Sequence, residues 1–215
     1  MTIEISNRLL EFGNQPLSYG LILALLRDYK NPNDKVHHMI TQGILQPVRK
    51  GLYIAGPSLK AGAPEPFLLA NHITGPSYVT ADSALSFYGL IPERVFTVLS
   101  ATVKSSRKFL TTVGNFSYRH LPLPYYAFGV TSVQLSPGQQ ALLASPEKAL
   151  FDKIIFTSQL KIRSRKAALH FLVEDLRMEE EELKKMDLNK ISDWLADAPR
   201  KESLGHVTKA IKWLQ

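Results

Sequence analysis

NPNDKVHHMITQGILQPVRKGLYIAG, residues 31–56, is the stretch whose reading decides the fold. Asn31 suits an N-cap, Pro32 the first helical position, and Asp34 the first turn, where the helix dipole favours an acid. Val36, Met39, Ile40 and Gly43 recur at helical spacing on one side. The opposite side is centred on Asp34, His38 and Thr41, flanked by Lys35, His37 and Gln42, all able to contact bases or phosphates. After Gly43 the pattern becomes strand-like. Ile44 to Val48 and Leu52 to Ile54 join through Arg49-Lys50-Gly51, where glycine tolerates a positive φ. A helix followed by a basic-tipped hairpin is the working half of a winged helix-turn-helix, its helix in the major groove and its tip on phosphate or in the minor groove. The competing reading is a small α+β unit with a solvated charged turn.

Upstream, residues 3–12 read as a short helix with Ile5, Leu9 and Phe12 inward, stopped by Gly13 to Pro16. Ser18 then caps YGLILALLRDY, in which Leu21, Leu25 and either Ile22 or Leu26 face a core. Three helices therefore precede the hairpin, the number a winged helix requires. Residues 1–57 form the expected DNA-binding domain. The Ala-, Gly- and Pro-rich segment after Pro57 leads into a mixed α/β domain, residues 58–215, helical from about residue 146.

Charge agrees with a polyanionic partner. The chain has 215 residues, 26 Lys and Arg against 19 Asp and Glu, and a net charge of +7. The excess is +3 over residues 1–60 (7 basic, 4 acidic), the densest surplus of any third. Cysteine is absent, which removes disulfides, thiolate nucleophiles and Cys-based zinc sites. The first residues lack the layout of a signal peptide, and the longest apolar run, Leu21 to Leu26, is far short of a membrane span. The expected location is the cytoplasm, without membrane contact.

In the larger domain, PFLLANHI reads as a helix ended by Thr74-Gly75-Pro76. Thr80 caps another, with Ala84, Leu85 and Tyr88 inward and Gly89 at its end. Val95 to Leu99 reads as a strand. Residues 109–121 read as a hairpin turning at Gly114-Asn115, and Tyr125–Val130 and Gln139–Leu143 as strands. Ser145-Pro146-Glu147 opens a helix with Leu150, Ile154 and Ile155 on its apolar side. Residues 164–176 are helical with Leu169, Leu172, Val173 and Leu176 inward, and two amphipathic helices follow an acidic run at Glu179 to Glu182. The aromatic set Phe87, Tyr88, Tyr118, Tyr125, Tyr126 and Phe128 reads as core rather than as a stacking platform.

The sequence shows no phosphate-binding glycine loop, G-x-G-x-x-G, G-x-S-x-G or H-E-x-x-H. His37 and His38 are adjacent, and on a helix they point about 100° apart, a poor chelate. The expectation is therefore no enzyme, no catalytic residue, no metal and no cofactor. Two further basic clusters, Lys104, Arg107 and Lys108, and Arg163, Arg165 and Lys166, are candidates for additional phosphate contacts. Their alternative is an exposed loop and an exposed helix start. Glu93-Arg94 reads either as a functional pair or as a local salt bridge closing a turn.

VRKGLYIAG, YVTADSALSFYGLIPERVFTVLS, GNFSYRHLP and ASPEKALFDKI resemble the AbiEi family, antitoxins and transcriptional regulators of type IV toxin–antitoxin systems. The resemblance runs from about the second helix to about residue 160, and SALSFYGLIPE and SPEKALFD are its most specific parts. It implies a winged helix that binds the promoter of its own operon as double-stranded DNA and represses it. It also implies a larger domain opposing a nucleotidyltransferase-like toxin without a stable complex. Lys35, His37, His38, Thr41 and Gln42 would then read DNA, with Arg49 and Lys50 at the hairpin tip. The alternative is a winged-helix regulator whose larger domain senses a ligand or partner, with no toxin. An enzyme acting on the toxin's target and a toxin-binding module are further rivals.

Overall fold

Residues 2–215 are described by the computed structural model of the chain, and among them ten α-helices and two β-sheets build an α+β fold. The first elements are α1 (Thr2–Leu10), β1 (Leu17–Ser18), α2 (Tyr19–Leu25) and α3 (Pro32–Thr41). The hairpin β2 (Leu45–Arg49) and β3 (Leu52–Ala55) follows. Ser18 caps α2, its Oγ accepting from the Leu21 N–H at 3.1 Å. Pro32 starts α3, with Asp34 in its first turn, although the Asn31 side chain makes no capping bond. At the other end the Ile44 N–H reaches the Met39 carbonyl and the Gly43 N–H that of Ile40, with Gly43 at φ 68. This is a Schellman closure, satisfying carbonyls that α3 leaves over.

The three-stranded sheet has the order β1-β3-β2, all antiparallel. Pro47 is tolerated because β2 is an edge strand. A bulge between Pro47 and Arg49 brings Arg49 opposite Leu52, so Lys50 and Gly51 alone make the tip. Ile5, Leu9, Leu17, Ile22, Leu26, Val36, Met39, Ile44 and Leu45 form the core of this unit. Ile22 of α2 and Leu26 just past its end are both buried, and Leu21 and Leu25 lie at the margin.

The chain continues through α4 (Pro66–Ile73), β4 (Ser77–Val79), α5 (Ala81–Phe87), β5 (Thr97–Thr102), β6 (Arg107–Thr111), β7 (Gly114–His120), β8 (Val130–Ser136) and β9 (Gln139–Ala144). Then come α6 (Pro146–Phe156), α7 (Arg165–His170), α8 (Glu180–Lys184), α9 (Leu188–Leu195) and α10 (Lys201–Leu214). The second sheet is mixed, in the order β6-β7-β5-β4-β9-β8. β4 pairs parallel with β9 and β5 with β7; its other pairs are antiparallel.

Each face of this sheet is covered. Tyr78, Ala101 and Ala144 point into a core with α5, α6 and the C-terminal helices. Val79, Phe116, Tyr118 and Leu143 point the other way, onto Leu69 and Ile73 of α4 and onto Val48, Leu52 and Ile54 of the hairpin. β3 thus serves two cores, with Tyr53 towards the N-terminal helices and its neighbours towards the larger sheet. Gln46 Nε2 also donates to Thr112 Oγ1 at 2.9 Å and Gln15 Nε2 to the Gly138 carbonyl at 2.9 Å. The change of sheet near residue 57 is therefore not a break in the apolar packing. Among the described residues no helix is long and apolar enough to cross a membrane.

Several expected elements shift. The 109–121 hairpin turns at Thr112-Val113, not at Gly114-Asn115, because Asn115 is drawn into the parallel ladder opposite Thr97. Arg107 and Lys108 become strand residues as a result. Residues 125–127 are a 3-10 turn, since Tyr125 dives into the core, and β8 begins only at Val130. β5 starts at Thr97, two residues after the expected strand. The helix after Ser164 changes to π geometry over Phe171–Asp175, which buries Ala168, Phe171, Leu172 and Leu176 and leaves Leu169 and Val173 at the margin. Phe87 is partly exposed, whereas Tyr118 and Tyr125 are core. Glu93 does not close a turn with Arg94. It pairs with Arg177, while Arg94 lies over the Phe96 ring at 5.4 Å.

Candidate nucleic-acid interface

With Val36 and Met39 buried beneath it, α3 presents Asp34, His37, His38, Thr41 and Gln42 to solvent. Lys35 is half-buried, its Nζ 5.4 Å from the centre of the Tyr29 ring. Asn33 Oδ1 accepts from the Tyr19 hydroxyl at 2.6 Å, fastening the start of α3 to α2. Thr41 spends its proton on the His38 carbonyl at 2.8 Å, so its oxygen remains an acceptor towards a ligand. Ser58 Oγ holds the Gln42 carbonyl at 2.7 Å, fixing the other end. The outward face is polar, rigidly mounted and without an arginine.

Lys50 borders that face. With His37, Asn33 and Gly51 it lines a cleft of about 410 Å³ between α3 and the hairpin tip. Arg49 goes elsewhere. It lines a second cleft, of about 680 Å³, with Lys104, Arg107, Thr74, Ser105 and Phe109 of the larger unit. The Tyr118 phenol beneath the hairpin is pushed up by burial, partly offset by the Arg49 charge. Lys104 Nζ donates to the Gly75 carbonyl. The expected site residues Arg49 and Lys50 thus lie on different sides of one hairpin. Lys104 and Arg107 are brought to Arg49 from more than fifty positions away in sequence.

Lys108 follows Arg107 on β6, so its side chain takes the other face of the sheet. Arg163, Arg165 and Lys166 belong to the helical layer across the six-stranded sheet from the hairpin. Arg165 stacks over Trp213 at 4.9 Å, and Lys166 borders a hollow with Asp175. These residues do not converge on the surface that carries α3.

A second polar constellation has no counterpart in the sequence reading. On α6, Lys148 Nζ and Asp152 Oδ1 are 3.0 Å apart and neither side chain is exposed. Asp152 also accepts from the hydroxyls of Tyr78, Thr80 and Tyr125 at 2.9, 2.8 and 3.0 Å. Lys148 donates to the Tyr125 carbonyl at 3.0 Å and sits 3.2 Å from the centre of that ring. Burial lowers the Lys148 amine to about 8, with Asp152 acting in the opposite sense, and pushes the Tyr78 and Tyr125 phenols up. None of the clefts described above reaches this cluster. It ties α6 to β4 and to the 125–127 turn. The detectable signal was the i, i+4 spacing of Lys148 and Asp152 within SPEKALFD.

The same applies to the rest of that motif and to SALSFYGLIPE. Ser145 Oγ accepts from the Lys148 N–H and donates to Glu147, whose other oxygen accepts from the Asp187 N–H at 3.1 Å. Ser83 Oγ accepts from the Leu99 N–H at 2.8 Å, and Ser86 Oγ donates to the Glu93 carbonyl at 3.0 Å. Both motifs fasten the fold.

No protein-family model matches the sequence, and no curated protein is detectably similar to it.

Proposed function

We propose that the chain binds double-stranded DNA, with residues 1–57 acting as a winged helix-turn-helix and α3 as its reading helix. The observation that carries this reading is the exposed polar flank of α3, Asp34, His37, His38, Thr41 and Gln42, with Lys50 lining the same cleft as His37. The element order supports it: three helices, then a two-stranded ribbon, with a short strand between α1 and α2 pairing with the ribbon. His37, His38, Thr41 and Gln42 would meet base edges, and Lys35 and Lys50 phosphate.

On the resemblance of SALSFYGLIPE and SPEKALFD to the AbiEi family, the DNA is the promoter of the chain's own operon. The role is then that of a repressor and cytoplasmic antitoxin, without catalytic activity, opposing a nucleotidyltransferase-like toxin. The full chain titrated against its upstream region and against a random duplex, over a range of salt, tests the DNA half. Tighter binding to the upstream region, with log K falling linearly in log salt, is expected. Equal affinity for both sequences at every salt concentration removes the specific regulator. Rescue of cells expressing the toxin tests the other half.

A further inference from the structure

We infer that the cleft between the hairpin tip and the edge of the larger sheet is a phosphate-binding site. It is built from three segments: the hairpin, the residues after α4, and the stretch running from β5 into β6. Arg49 comes from the bulged end of β2, Lys104 and Ser105 from the β5–β6 connection, and Arg107 from β6. Thr74 and Gly75, after α4, also line it.

Three cations share this cleft and no carboxylate lines it. None of the three makes an ion pair among the described residues; Arg49 and Lys104 donate to the carbonyls of Lys50 and Gly75. Bringing like charges together without counter-charge costs energy in the folded chain, and an anion in the cleft relieves it. The Thr74 and Ser105 hydroxyls add neutral donors. Arginine forks and a lysine ammonium are the groups that suit the tetrahedral, multiply charged oxyanions of phosphate.

The volume, about 680 Å³, falls in the range of about 300–1,000 Å³ that small-molecule sites occupy. It holds a phosphorylated ligand the size of a nucleotide, and its mouth also admits a phosphate projecting from a duplex. Because Arg49 belongs to the hairpin and the other cations to the larger unit, an occupant bridges the two. The free ligand and the DNA backbone share one chemistry and differ only in source.

The test uses the full chain and inorganic triphosphate, titrated calorimetrically at constant ionic strength, so it does not depend on DNA binding. Wild type is expected to take up one equivalent saturably. Lys104→Ala combined with Arg107→Ala should weaken uptake by about tenfold or more, the effect expected of removing charge-assisted bonds. Ser105→Glu, which adds a carboxylate at an exposed position while keeping all three cations, should do the same. Lys201→Ala combined with Lys209→Ala, two exposed lysines of α10, should leave uptake unchanged. Absence of saturable uptake by wild type, or an equal weakening in the α10 pair, overturns the site. Competition assigns the source. If triphosphate displaces a duplex of arbitrary sequence and Ser105→Glu weakens that duplex, the cleft seats backbone phosphate. If the duplex binds equally to the filled cleft and to Ser105→Glu, the site takes a free phosphorylated ligand.

Discussion

Arg49 and Lys50 are consecutive in the chain yet line different clefts, Arg49 facing Lys104 and Arg107 and Lys50 facing His37 on α3. The bulge after Pro47 is the cause, since it ends the ladder at Arg49–Leu52 and leaves Lys50 alone in the turn with Gly51. A hairpin tip of this kind divides its charge between two surfaces, so its two cations have separable effects.

Lys50→Ala is expected to weaken specific and random duplexes alike. It should lower the slope of log K against log salt by about 0.9, the share of a single neutralised phosphate. Arg49→Ala should instead weaken triphosphate uptake. Anisotropy titrations of labelled duplex at several salt concentrations check the first statement. An unchanged slope in Lys50→Ala takes the tip off the DNA.

His38 and Gln42 are exposed on the outward flank of α3, and their side chains make no hydrogen bond or ion pair among the described residues. His38→Ala and Gln42→Ala should leave the thermal midpoint and the salt slope near wild type. Each should reduce discrimination between the preferred site and its base-substituted forms by about 1–3 kcal/mol for each base edge that the side chain reads. Competition binding against a panel of singly substituted sites measures this. A uniform weakening over the whole panel would place these residues on phosphate instead.

The N-terminal unit was legible because its signals are local. Ser18, Pro32 and Gly43 mark helix ends, and the period of Val36, Met39 and Ile40 sets which side of α3 is buried. The rest was decided at a distance. Gly114-Asn115 is a strong turn signal, overruled by pairing of β7 with β5. The burial of Val48 and Ile54 depends on a sheet formed tens of residues later, so periodicity alone could not show that the hairpin has two apolar faces. Lys104 and Arg107 form a loop cluster in sequence, and only the fold brings Arg49 to them. The Lys148–Asp152 cluster left no local signal beyond its spacing, because the tyrosine hydroxyls that satisfy Asp152 lie on β4 and in the 125–127 turn.

Gly56 governs how the hairpin rejoins α3. Its N–H donates to the Ile44 carbonyl at 2.8 Å, and an added Cβ would fall 2.2 Å from the Gly43 carbonyl oxygen. That neighbour is backbone and cannot rotate away. Gly56→Ala should therefore destabilise the chain by about 1–3 kcal/mol or more, as overpacking does. The displacement falls on the end of α3, so DNA affinity should drop with stability. Urea unfolding and duplex titration on the same variant check both. A variant as stable as wild type would mean that Gly43 and Gly56 move apart freely.

Lys148 and Asp152 give the fold a pH dependence of definite sign. Replacing Lys148 with methionine keeps bulk but leaves Asp152 buried without its cation, which should cost about 3–5 kcal/mol near neutral pH. Adding Asp152→Asn should recover part of that cost, because the amide is uncharged and its one oxygen still accepts from Tyr78 and Thr80, while its NH2 takes the place of the oxygen that Tyr125 met. In the folded wild type burial lowers the Lys148 amine from 10.5 to about 8. Between those values the unfolded chain holds a proton that the folded chain has released. Stability therefore rises with pH across that window and is insensitive to Lys148 below it. The buried Tyr78 and Tyr125 phenols, pushed above their ordinary 10.0, act in the opposite sense once the unfolded chain begins to lose those protons. The clean interval is thus from about pH 8 to about pH 10. Urea midpoints measured across it should climb for wild type relative to Lys148→Met. Parallel curves for the two proteins would mean that Lys148 keeps its proton in the folded core throughout.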